Sequence, residues 1–337
     1  MMKHQVLIQP KGLSFDVDES ETLLDAAARA GIKMLKSCDN GVCEICRAQL
    51  VMGTVTSSKG DRSANQLDTT PVLPCVSYAK SDVILEQTNV LAPGEIPLQH
   101  IAFQIKSVTP CKGNVYDIEL LAPAGKVPEF HAGQYLELLI NEGEYPFTIA
   151  SAPGERTLHL HLGVSKENQS SQDILQFLQS ELTVRARLPR GSVWLTPKDN
   201  PTNLHDPLIF IVAGTGFSQA KAMIEDQLRH QHSAMFLYWI NRDESGFYSD
   251  LPDTWQKDGL LEYKALTPES PDSPFFSDLP VQDWVHNTIA RVDQAHYVLC
   301  GGPGFVYSVL EGLESKGVNE SQVMSDVFAY APRPSSK

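Results

Sequence analysis

The chain has 337 residues, with 27 Lys and Arg against 41 Asp and Glu, giving a net charge of −14 with His neutral. A hydrophobic share of 42% with 20% charged residues excludes wholesale disorder, and the length suits two or three domains. The acid excess argues against a general affinity for nucleic acid or anionic lipid, whose phosphates it would repel. The apolar run 207–213 is far shorter than the ~20 residues a membrane helix needs. The N-terminal apolar run breaks after residues 6–8, unlike a signal peptide. The expected location is the cytoplasm, with no membrane span.

In chain order, residues 6–8 and 13–17 alternate as two short strands, with Gly12 in the turn between them. A helix over 21–30 follows, with Ser20 or Thr22 as its cap and Gly31 placed to end it. A cysteine-bearing loop spans 37–46, and a strand-like tail at 82–86 completes a first unit, residues 1–88. Two prolines and a glycine without periodicity mark 89–99 as a linker. Between 100 and 202, short β-type runs stand at 101–108, 115–121, 135–140, 147–150, 158–162 and 184–188. One helix at 173–181 interrupts them, and the spacing predicts a small barrel. From 203 to 337 strands at 208–213, 234–240 and 296–300 alternate with helices at 218–230 and 304–315, which implies a parallel α/β sheet.

Four of the six cysteines crowd into the first quarter of the chain, a pattern that reads as metal binding rather than a disulfide framework. Cys38, Cys43 and Cys46 form C-x4-C-x2-C, and Cys75 follows after 28 residues, the plant-type spacing for a 2Fe–2S cluster. Three thiolates must converge from one tight loop, so its N–H groups are expected to point inward, and Gly41 permits the close approach. A zinc site would offer a second C-x2-C pair, whereas Cys75 stands alone. With its strand–strand–helix lead-in, the segment 1–88 resembles plant-type ferredoxins, which implies a β-grasp fold.

In the barrel region, His131-Ala132-Gly133-Gln134-Tyr135 precedes Tyr145-Pro146-Phe147-Thr148-Ile149-Ala150-Ser151. This pair resembles the flavin-binding signature of the ferredoxin–NADP reductase superfamily, usually Arg-x-Tyr-Ser/Thr. The resemblance implies a six-stranded antiparallel flavin-binding barrel that takes FAD or FMN. It implies that Phe147 packs on the flavin, that Thr148 sits near its reactive nitrogen, and that Gln134, Pro146, Ser151 and Gly163 line the site. Tyr145 stands where the family's phosphate-holding arginine belongs, exchanging a charged fork for one neutral hydroxyl. Other phosphate donors would be the region 163–165 and the helix start near 170–173, where serines also suit simple capping.

The strand 208–213 runs into Gly214-Thr215-Gly216 and a helix, a turn that lets backbone N–H groups meet a pyrophosphate. Cys300-Gly301-Gly302-Pro303 resembles the superfamily's Cys-Gly-x-Pro nicotinamide signature, and Ser325-Asp326-Val327-Phe328-Ala329-Tyr330 resembles its acid-x-aromatic ending. By that resemblance Cys300 lies near the carbon that loses hydride, with Gly301 and Pro303 beside it. Asp326 then places the ring, and Phe328 covers the flavin. Arg242 is placed to meet a nucleotide phosphate, but Asp243 and Glu244 leave NADH and NADPH both open. Cys111 has no such context.

The order of modules resembles reductase components of bacterial oxygenases and the iron–sulfur flavoprotein reductase of CDP-dideoxysugar synthesis, while 134–330 is similar to bacterial flavin reductases. The expected protein is an NAD(P)H-dependent oxidoreductase carrying electrons through flavin to a 2Fe–2S cluster and on to an oxygenase or iron–sulfur dehydratase. A free flavin reductase, and an iron–sulfur carrier or sensor with a decayed flavin site, are the alternatives.

Overall fold

The computed structural model describes residues 3–65, 67–195, 207–231, 234–241, 246–267 and 294–333. It divides into two compact units, Met1–Pro97 and Leu98–Lys337, each described by itself.

In the first unit, β1 (Lys3–Gln9) and β2 (Leu13–Asp18) pair antiparallel, and alternation buries Val6, Ile8, Phe15 and Val17 on one face. Helix α1 (Leu23–Arg29) starts at Thr22, whose hydroxyl accepts the Asp25 N–H at 3.1 Å, and buries Leu23, Leu24, Ala26 and Ala27. Strands β3 (Ala48–Ser57) and β4 (Gly60–Ala64) form a hairpin, and β5 (Val83–Glu86) runs parallel to β1. The order β2-β1-β5-β3-β4 with a helix buried against it is the expected ferredoxin-type β-grasp. Sequence patterning misses β3 because its register shifts between Leu50 and Met52 and Gly53 sits at φ 101°. A Cβ at Gly53 would run into the Asp82 carbonyl oxygen.

Much of the expected linker belongs to this unit. Val90–Leu91 pairs with Lys33–Met34, Val90 is buried, and Glu95 meets Lys11 at 2.7 Å. Its prolines hide the pattern without freeing the chain.

In the second unit, β6 (Gln99–Pro110), β7 (Val115–Leu121), β8 (Tyr135–Ile140), β9 (Gly143–Thr148), β10 (Thr157–Gly163) and β11 (Thr183–Arg190) form one antiparallel sheet. Its order is β9-β8-β11-β6-β7-β10. The Ile149–Leu160 bridge and the Ala150 N–H to His159 carbonyl bond join the two edges, closing the barrel. Helix α2 (Gln169–Ser180) begins four residues before its expected start because Asn168 caps it, and Ile174 and Leu178 pack into the barrel core.

A parallel sheet follows, built from β12 (Leu208–Ala213), β13 (Met235–Ile240), β14 (Glu262–Leu266), β15 (His296–Cys300) and β16 (Val323–Met324) in the order β14-β13-β12-β15-β16. Helices α3 (Phe217–Arg229), α4 (Leu251–Lys257), α5 (Pro303–Ser315) and the short α6 (Val327–Tyr330) accompany it. The run 208–212, buried throughout, marks β12 as the central strand. Its neighbours β13 and β15 lie on opposite sides, so the strand order reverses there, where α/β sheets hold ligands at the strands' carboxyl ends. No described helix is long and apolar enough to cross a membrane.

Replacing Gly53 with Ala should destabilise the first unit by more than ~1 kcal/mol, since positive φ and the Asp82 carbonyl both oppose a side chain. Urea unfolding followed by circular dichroism measures this; unchanged stability would mean that β3 pairs differently.

Candidate functional site

The cysteine loop is built from backbone that side chains seldom adopt: Asp39, Gly41 and Glu44 have φ of 51°, 78° and 59°. These turns aim N–H groups inward. Those of Asn40, Cys43 and Val42 hydrogen-bond to the Cys38 sulfur, the Cys43 bond at 3.3 Å, and lower the thiol to about 6. The Gly41 N–H reaches Cys75. Cys46 and Cys75 are buried with sulfurs 3.3 Å apart, and burial, reinforced by this neighbour, pushes Cys75 up to about 11. Cys38 is half-buried and Cys43 exposed, so the loop opens to one side.

Among the described residues no three His, Cys, Asp or Glu side chains converge as one metal ion requires. A buried sulfur pair with N–H donors around a third thiol instead suits a binuclear cluster, which takes two thiolates per iron and accepts hydrogen bonds at sulfur. The residues present fit a 2Fe–2S cluster.

In the second unit a cavity of about 820 Å3 lies between the barrel and the carboxyl ends of β12 and β15. The barrel contributes Tyr135, Pro146 and Thr148, the β12–α3 turn Thr215 and Gly216, β15 and its loop Cys300 and Gly301, and the C-terminal segment Asp326 and Tyr330. Its volume lies within the ~300–1,000 Å3 of cofactor sites, and its ring-facing walls and sparse polar groups fit a flavin with a nicotinamide beside it. Gly216 is required: a Cβ there would strike the Cys300 carbonyl oxygen.

The two titratable groups on the cavity wall are both held toward their protonated forms. Burial, with Asp326 nearby, pushes the Cys300 thiol well above its ordinary range, so it carries no charge at neutral pH. Burial also raises the Asp326 carboxyl to about 6, partly offset by the Gln219 amide, which donates at 2.7 Å. The same Gln219 nitrogen donates to the Gly133 carbonyl at 2.7 Å, tying Asp326 to the barrel.

Several expected residues are thus together: Thr148 and Pro146 with Thr215, Gly216, Cys300, Gly301 and Asp326. Others are turned elsewhere. Strand alternation sends Tyr145 and Phe147 onto the barrel core, and only their neighbours Pro146 and Thr148 face the cavity. Phe328 packs on Tyr307, ring centroids 5.9 Å apart, because the α6 turn rotates it toward the parallel-sheet core; Tyr330 lines the cavity instead. Gln134 is buried and braces its own turn and Gly191, Ser151 accepts the His159 N–H at 3.2 Å, and Pro303 opens α5. Gly163 abuts Thr215, and Gly214 begins the turn without lining the cavity. The serines near α2 are engaged in capping: Ser171 bonds Asn168 and accepts from the Ser165 N–H. Arg242, with Asp243 and Glu244, lies outside the described residues. Sequence reasoning gave no role to Gln219, Tyr135 or Tyr330; the two tyrosines stood inside the quoted signature stretches, and the signal for Gln219 was a glutamine on the buried face of α3.

Comparison with known proteins agrees with this layout. The 2Fe-2S iron-sulfur cluster binding domain family matches residues 6–80, and the oxidoreductase NAD-binding domain family matches residues 210–311. The reductase component 1 of terephthalate 1,2-dioxygenase from Comamonas sp is 29% identical over 98% of this chain and 99% of its own length. Protein RfbI of Salmonella typhimurium is 30% identical over 76% of this chain and 75% of its own. Phthalate dioxygenase reductase, described as a modular structure for electron transfer from pyridine nucleotides to [2Fe-2S], aligns with a TM-score of 0.54 at 18% identity, covering 66% of each chain.

Two outcomes follow from the cavity. Because the Asp326 carboxyl is raised from 3.8 to about 6, its contribution to stability is intact below pH ~4 and lost as pH rises to ~6. The always-neutral Asp326→Asn variant should therefore gain on the parent across that window, on the order of 3 kcal/mol above pH 6. Denaturation at pH 4 and pH 7.5 measures it, and an equal difference at both would contradict the raised carboxyl. Gly216→Ala should abolish nucleotide-dependent bleaching of the flavin while leaving the cluster spectrum unchanged.

Proposed function

The chain belongs to the iron–sulfur flavoprotein reductases, NAD(P)H-dependent oxidoreductases that pass electrons through flavin to a 2Fe–2S cluster, and we propose that it serves an oxygenase component in the cytoplasm. Near end-to-end similarity to a dioxygenase reductase, 98% of one chain and 99% of the other, supports this acceptor.

FAD, when bound, supplies the exchange between the electron pair of a hydride and the single electrons that a cluster accepts. The chain's residues position and shield. Thr148 offers its hydroxyl on the cavity side of β9, the proposed donor to the flavin's reactive edge. The neutral Cys300 thiol and Gly301 form the wall against which the nicotinamide lies, close enough because Gly216 carries no side chain. Asp326, held by Gln219, orients the nicotinamide and excludes water from that wall. Tyr330 rather than Phe328 is the proposed aromatic cover, since it alone of the two lines the cavity. In the first unit Cys46 and Cys75 are the proposed ligands of one iron, and Cys38 and Cys43 those of the other.

The test is anaerobic titration of the protein, iron and flavin quantified, with NADH and then NADPH. Bleaching of flavin and cluster by one nucleotide supports the reading and fixes its preference. A cluster that never bleaches, with flavin restored, favours the carrier or sensor. The reduced protein should then be mixed with the terminal oxygenase and with an iron–sulfur dehydratase of its own organism; reoxidation by the dehydratase alone would overturn the proposed acceptor. Cys300→Ala should slow flavin reduction about tenfold or more with the cluster spectrum intact. Tyr145→Phe should leave flavin affinity within about twofold, because the Tyr145 ring packs against the barrel core rather than lining the cavity.

A further inference from the structure

Three polar side chains, none lining the cavity, join the barrel to the parallel sheet. His161 on β10 lies 2.9 Å through Nδ1 from the Tyr248 hydroxyl and 3.2 Å from the Ser218 hydroxyl. Tyr248 and Ser218 are both buried, and their hydroxyls are themselves hydrogen-bonded. Burial lowers His161 to about 4, so the ring is neutral in the working range. The neighbouring rings are packed: Phe217 stacks on Trp239 at 4.2 Å and meets Tyr248 edge-on at 5.9 Å.

This group acts on the β12–α3 turn. The Ser218 hydroxyl donates to the Thr215 carbonyl at 2.7 Å, and the Trp239 indole N–H donates to the Gly214 carbonyl at 2.9 Å. Both carbonyls are thereby occupied on the core side. In a trans peptide the N–H lies opposite the C=O, so the N–H groups of Thr215 and Gly216 turn toward the side where these residues line the cavity. The barrel end of the tie lies beside the turn as well, since Gly163, two residues after His161, would place a Cβ 3.2 Å from the Thr215 methyl.

We propose that His161 and Tyr248 are positioning residues for the nicotinamide dinucleotide: through Ser218 they hold the Gly214–Gly216 turn with its N–H groups presented to the diphosphate, locking that turn to the barrel that carries the flavin. The inference rests on reading this turn as the nucleotide site. Neither residue touches the ligand. Their contribution is to keep a glycine-rich turn from relaxing into conformers that rotate its donors away, which affects nucleotide binding and spares the chemical step.

The test uses the flavin- and iron-loaded protein with ADP-ribose, which carries the diphosphate and no reactive ring, measured by calorimetry. His161→Leu and Tyr248→Phe should each weaken ADP-ribose binding about five- to thirtyfold, the loss expected when buried hydroxyls lose a partner. The double variant should be no worse than the poorer single, since both cut one tie. His161→Asn, whose amide can replace Nδ1, should bind within about twofold of the parent. KM for the preferred nucleotide should rise in step with the dissociation constant while kcat at saturation holds, with flavin and cluster absorbance unchanged. Parent-like affinity in both single variants, or losses that multiply in the double, would overturn the tie alone. Loss of flavin together with ADP-ribose affinity in every variant, Asn included, would reduce it to a folding role and overturn it too. Failure of the parent to bind ADP-ribose would instead overturn the nucleotide-site reading beneath it.

Discussion

The approach of α3 to the end of β15 is the constraint on which the second unit depends. The Gly216 backbone meets the Cys300 carbonyl where any side chain would collide, and a Cβ on Gly301 would run into the Phe305 ring. That contact draws the central strand's turn, the thiol-bearing strand and the C-terminal segment to one point at the sheet's switch. Barrel strands β8 and β9 then supply the opposite wall. A cleft formed from four distant stretches of chain is precise only because each is fixed by packing it cannot exchange, and these glycines are where packing is tightest.

The polar groups near this point follow one pattern. Asp326 is placed by Gln219, the turn carbonyls by Ser218 and Trp239, and Gly191 by Gln134. None of these donors is charged. Among them Gln219 holds the Asp326 carboxyl, which at about 6 is largely ionised at neutral pH, beside an un-ionised thiol, so the charge that develops during hydride movement meets oriented dipoles and a held anion.

The cysteine loop was legible in the sequence because its chemistry is local: three cysteines and the glycine that lets them converge lie within nine residues, and spacing alone encodes the geometry. The β12 turn and the Cys300 loop were legible for the same reason. Side-chain direction was not. Tyr145-Pro146-Phe147-Thr148 could be aligned with a flavin motif, yet the pleat decides which two residues face the cavity, and it selects Pro146 and Thr148. Likewise the C-terminal segment resembles an acid-x-aromatic ending with Phe328 as the aromatic, but a four-residue helix carries Phe328 inward and leaves Tyr330 on the cavity. Strand β14 and helix α4 escaped detection because an edge strand with one buried residue in five has no clear alternation. Gln219 and His161 matter through contacts formed across 107 and 57 residues of chain, which no local pattern reports.

The cysteines also differ in what an electrophile would find. A thiolate reacts and a thiol does not. Cys43 is exposed on the open side of its loop, whereas Cys300 is buried at the cavity wall and held protonated by that burial. An alkylating reagent therefore meets the two redox sites differently: exposure offers it Cys43, while burial and protonation together withhold Cys300.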